Sequence, residues 1–132
     1  MNPTPFGNNT NFPPIPFDKR HCEMAGVLKG NGLPWEPHVG CFVWDRDGLI
    51  EASSPFPQRI YFILNIGHFL KRFQTVENMT KQLVWLPTWH QARLLCHKFG
   101  VGNKRVASLW HRKEMVELGD ELLLLYRVIL DV

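Results

Sequence analysis

Pro87, Gly100 and Gly102 cut the stretch from Thr75 to Lys113 into short lengths, and that punctuation constrains the fold more than any other feature of the chain. Proline inside a helix removes a backbone donor and clashes with the preceding turn, whereas glycine readily takes the left-handed backbone that closes a helix. Val76, Met79, Leu83 and Leu86 keep helical spacing, which predicts a helix capped by Thr75 and ended by Pro87. Thr88 and Gln91 have the Thr-x-x-Gln spacing of a capping box, which predicts a second helix over Trp89 to Phe99, closed at Gly100. Asn103 is placed to cap a third, from Lys104 to about Lys113.

The same region is chemically one-sided. From Asn78 to Lys113 there is no Asp or Glu, while Lys81, Arg93, Lys98, Lys104, Arg105, Arg112 and Lys113 carry positive charge. The whole chain has a net charge of only +3, so the positive charge is local. A local basic face usually meets an anion.

Composition sets the outer bounds. With 132 residues, 45% of them hydrophobic and 20% charged, the chain has room for one domain with a real core. Five Trp and nine Phe are many for this length, which points to aromatics at a surface or interface as well as inside. No window is apolar enough to span a membrane and the N-terminus lacks a signal-peptide pattern, so a soluble, cytoplasmic protein is expected. Three cysteines, Cys22, Cys41 and Cys96, are an odd number without close spacing, and reduced thiols are expected.

Residues 1–18 form a Pro-rich arm in which Pro13-Pro14-Ile15-Pro16 favours extended polyproline geometry. Phe6, Phe12 and Phe17 either hang from a loose arm or dock on the domain or a second subunit. A short helix is expected around Cys22 to Leu28. Cys41 to Trp44 and Leu49 to Ala52 flank the charged turn Asp45-Arg46-Asp47-Gly48, which predicts a β-hairpin. Ile60 to Leu64 suits a strand or a helix, and the following stretch to Phe73 favours a helix. In the tail, Gly119-Asp120 fits a two-residue hairpin turn that would make a wing, and Asp120 also fits the cap of a helix from Glu121; the hairpin is preferred.

Leu95-Cys96-His97-Lys98-Phe99-Gly100-Val101-Gly102-Asn103-Lys104-Arg105-Val106-Ala107-Ser108-Leu109-Trp110 resembles the helix-turn-helix of lambda-type phage repressors. Two steeply crossing helices need a small residue where they touch, here Cys96 where the family usually has Ala. They also need a glycine for the turn and apolar Leu95, Phe99, Val101, Val106 and Leu109 for the shared core. The resemblance implies that the second helix enters the major groove, with Asn103, Lys104, Ser108 and, more distantly, His111 as base-reading residues. Lys98, Arg105, Arg112 and Lys113 would hold phosphates. Ala92 departs from the family, offering no donor where it often contacts phosphate.

Other constellations are weaker. Arg93 to Val101 also has the skeleton of a Nudix signature helix, but Leu94, His97 and Lys98 stand where magnesium-holding glutamates are required, which leaves at most a non-catalytic nucleotide-binding or protein-interaction domain. His21, Cys22, His38 and Cys41 are zinc-type donors in an unorthodox spacing, and such residues near aromatics are more often packed than ligating. Cys96 lies on the buried face of its helix and should be inert. Glu117 and Asp120 form a single carboxylate pair whose partner pair is absent upstream. No Gly-rich phosphate loop or Gly-x-Ser-x-Gly elbow is present, and neither enzymatic activity nor a cofactor is expected.

The expected fold is α+β: the arm, a small α+β region over 19–74 containing the hairpin, and a helix-turn-helix region over 75–132, with 19–74 and 75–132 forming one domain. The expected function is sequence-specific binding of double-stranded DNA by a homodimeric transcriptional regulator.

Overall fold

The computed structural model describes residues 1–109 and 120–132 of the chain. Its elements are α1 (Lys19–Gly30), β1 (Phe42–Trp44), a 3-10 turn (Pro57–Arg59), β2 (Ile60–Phe62), α2 (Ile66–Phe73), α3 (Val76–Gln82), β3 (Val84–Leu86), α4 (Trp89–Lys98), α5 (Asn103–Leu109) and α6 (Asp120–Leu130). The class is α+β, as the sequence implies.

The three short strands form one antiparallel sheet in the order β2-β1-β3. Val43 lies opposite Tyr61 on one side and Trp85 on the other. Side chains alternate across a strand, so Val43, Tyr61 and Trp85 face one way while Ile60, Val84 and Leu86 face the other. Both faces are covered. Ile60, Val84 and Leu86 join Ala25 and Leu28 of α1, Ala92 and Cys96 of α4, and Leu125 and Tyr126 of α6 in one core. Val43 and Tyr61 join Phe73 of α2 and Met79 of α3 in a second.

The expected hairpin over Cys41 to Ala52 does not form. Phe42–Trp44 is a strand, but Leu49 to Ala52 is irregular, and β1 takes both its partners from farther along the chain. The reason is Asp45, whose carboxylate is fully buried. It accepts hydrogen bonds from the Leu49 amide (2.9 Å), the Ile50 amide (2.8 Å) and Arg59 Nη2 (2.8 Å). Amides that a hairpin ladder would use are thus turned inward to a charge. The same contact supports the backbone before β2, where Gln58 and Arg59 have φ of 64° and 58°, a region non-glycine residues seldom adopt.

Two further expectations change. The helix begun at Thr75 ends at Gln82, and Val84–Leu86 becomes the strand β3; pairing with β1 and burial of Val84 and Leu86 outweigh a helical pattern that would continue to Pro87. The tail is helical from Asp120 to Leu130, so its second half is not the arm of a wing; the first arm, with Glu117, lies outside the described residues. Leu122, Leu125, Tyr126 and Ile129 recur at helical spacing and are all buried, and that continuous stripe needs a helix. The helix expected around Cys22 to Leu28 is longer than its apolar pattern suggested, because Asp18 caps it from outside. In the arm, Ile15 and Phe17 enter the core, whereas Phe6 and Phe12 remain exposed and pack on each other.

No helix among the described residues is long and apolar enough to cross a membrane.

Candidate nucleic-acid interface

Local chemistry positions the basic region. The Gln91 amide donates to Thr88 Oγ1 (3.2 Å), and the Thr88 amide donates to Gln91 Oε1 (3.0 Å), so two donors at the start of α4 are satisfied reciprocally. At the far end Gly100 has φ of +81°, its amide donates to His97 O, and the Val101 amide donates back to Cys96 O. That pair of bonds reverses the chain in a few residues and delivers it to α5. Cys96, Val101 and Val106 are buried together, with Leu95 and Phe99 packed beside them, as the sequence pattern requires; nothing is described of the Leu109 side chain. Ala92 is buried as well, which explains why a side chain without a donor suits that position.

On the outer side, Lys98, Asn103, Lys104, Arg105 and Ser108 are exposed. The Lys98 ammonium lies 5.9 Å from the Phe99 ring centroid. None of Lys98, Lys104 and Arg105 pairs with a described carboxylate. Three expected contact residues, His111, Arg112 and Lys113, lie outside the described residues.

Asn103 does not stand as the sequence suggested. It is the first residue of α5 and not its cap, and its Oδ1 accepts a hydrogen bond from Arg93 Nη2 at 2.8 Å. Reading adenine through both amide atoms requires that oxygen as an acceptor for the base amino group. Arg93 therefore occupies half of the expected readout and ties α4 to the start of α5. No sequence pattern marks this link, since it depends on how tightly 99–102 turns. Ser108 Oγ donates to Arg105 O at 2.6 Å, which leaves its lone pairs as acceptors.

No protein-family model matches this chain, and no curated protein or solved structure shows significant similarity to it.

The zinc-type donors divide into two places. His21 is fully buried at the start of α1, where the Asp18 amide donates to its Nδ1 (3.1 Å) and its ring meets Phe17 and Tyr126 edge-on. It completes the Asp18 cap, a structural role. Cys22 belongs to the same core, whereas Cys41 lies across the sheet with its Sγ 3.2 Å from His38 Nδ1. Among the described residues no group of three or more His, Cys, Asp or Glu converges as a metal site. Burial, with Asp18 and Glu23 nearby, pushes the Cys22 thiol up to about 12, and burial also raises Cys41 and Cys96. Those thiols are poor nucleophiles. The Nudix-like alternative finds no metal-holding carboxylate in α4, whose residues include neither Asp nor Glu.

Proposed function

We propose that the protein binds double-stranded DNA through the outer face of α4 and α5, as a homodimeric, sequence-selective regulator of transcription. The observation that carries this reading is the exposure of Lys98, Lys104 and Arg105 on α4 and α5, in a stretch with no acidic residue between Asn78 and Lys113. In the proposal Lys98 and Arg105 hold phosphates, joined by Arg112 and Lys113. Lys104 and Ser108 reach base edges, and Asn103, held by Arg93, contributes its amide donor.

Salt tests it directly. Each phosphate contact released by salt contributes a slope of about −0.9 in log K against log salt. Fluorescence anisotropy with mixed duplexes should give a steep slope, reduced by about one for each of Lys98→Ala and Arg105→Ala. Selection from a random duplex pool should enrich one sequence family, and Lys104→Ala should relax it at one position. A flat salt dependence, or a pool without enrichment and binding no tighter than about micromolar at low salt, removes this reading in favour of a protein-interaction domain.

A further inference from the structure

Helices α1 and α6 lie side by side and run in the same direction. Their first turns are joined by Arg20 Nη1 and Asp120 Oδ1 at 2.7 Å, and Leu28 near the end of α1 lines a second pocket together with Ile129 and Leu130 at the end of α6. Between them runs a surface groove of about 650 Å³. From α1 it is lined by Arg20, Glu23, Met24 and Val27, and from α6 by Asp120, Leu123, Leu124 and Arg127. Each set follows the i, i+3, i+4, i+7 pattern of a helix stripe that packs against another helix. Met24 also packs against the core, but the other residues of these stripes lie outside the buried set, which takes Ala25, Leu28, Leu122, Leu125 and Ile129.

The charges along the groove are unequal at its two ends. Glu23 and Asp120 stand at the N-terminal end, where Arg20 is already engaged by Asp18 and Asp120. Among the described residues the one cation paired with Glu23 is Lys19, at 4.0 Å. At the other end Arg127 is exposed and pairs with no described carboxylate. Val27 is 48% exposed and contributes apolar surface beside Arg127, with Met24, Leu123 and Leu124 between the ends.

We propose that this groove is the self-association surface of the protein, occupied by the α1–α6 pair of a second copy in a four-helix arrangement. A two-fold axis perpendicular to the helices sets the two pairs antiparallel. It brings Arg127 of each copy to the Glu23 end of the other, while the apolar side chains Met24, Val27, Leu123 and Leu124 of the two copies close on one another. The charge pattern complements itself in that direction, which is why a second copy and not an unrelated helix is the occupant. The inference supplies the dimer that the DNA reading uses, but it is tested without DNA, so either can fail alone.

Sedimentation equilibrium of the full chain should give a dimer. Val27→Glu and Leu124→Glu should each give a monomer with unchanged far-UV circular dichroism. Arg127→Glu should weaken the dimer at least about tenfold, and adding Glu23→Arg should restore it by exchanging the charges. A monomeric parent protein, a dimer indifferent to Val27→Glu, or a double charge exchange that fails to restore association overturns the proposal. Association restricted to mixtures with another protein also overturns it, by naming a different occupant.

Discussion

The Tyr126 hydroxyl donates a hydrogen bond to the carbonyl oxygen of Pro87 at 2.5 Å, inside the core. The bond joins α6 to the link between β3 and α4, so the last helix fixes the base from which the basic region projects. Tyr126 is fully buried, and burial raises its hydroxyl well above the ordinary tyrosine range, so it stays a neutral donor.

Removing that donor while keeping the ring leaves a buried carbonyl without its partner. Tyr126→Phe should cost about 1–2 kcal/mol in urea denaturation with the fold retained. A change within error would mean the carbonyl has another donor.

Asp45 should make stability depend on acid. Burial pushes its carboxyl up, but the Arg59 hydrogen bond and the Ile50 and Leu49 amides outweigh that, and the net shift is downward from 3.8. A carboxylate whose folded pKa is depressed stabilises the fold above its unfolded pKa and loses that contribution as pH falls through the folded value. Stability should therefore decline below about pH 4, and Asp45→Asn should flatten that decline while costing about 2–3 kcal/mol at neutral pH. Asp18, also shifted downward, adds to the same acid limb; although burial raises it, its hydrogen bonds with the Arg20 side chain and amide outweigh that. The comparison is of denaturation midpoints from pH 7 downward, and an Asp45→Asn profile parallel to the parent would refute the assignment.

Gly100 isolates a purely conformational effect. A Cβ there would meet nothing within 4 Å, yet φ is +81°. Gly100→Ala should cost about 1 kcal/mol in thermal or urea unfolding, and Gly100→Asn less, because asparagine tolerates the left-handed region better. Equal costs for both would point to sterics instead of backbone preference.

All three cysteines are buried and unpaired. Ellman's reagent should leave the native protein almost unlabelled and titrate all three thiols in denaturant. Rapid labelling of a native thiol would show that a core opens locally.

The start of α3 and both ends of α4 were legible because capping is local. Thr75, Thr88 with Gln91, and Gly100 each act on amides or carbonyls within a few residues, so short spacings suffice to find them. The basic side chains of the candidate site were legible for a related reason, since exposure of Lys98, Lys104 and Arg105 follows from the apolar pattern on the opposite face. The Arg93–Asn103 bond was not legible, because it crosses a turn whose geometry no spacing specifies.

Strand pairing was less readable still. Three-residue strands carry too little alternation to name their partners, and β1 meets β2 and β3 only after long excursions of chain. Val84–Leu86 fits a helical pattern as well as a strand, and β1 decides in favour of the strand. By itself the sequence determined where α3 begins, where α4 begins and ends, and where positive charge concentrates, because those depend on neighbours along the chain. Tertiary structure alone decided which strands pair, that the tail becomes a helix over the core, and that Asp45 organises a loop instead of a hairpin. Those outcomes depend on burial and hydrogen bonding between residues far apart in sequence.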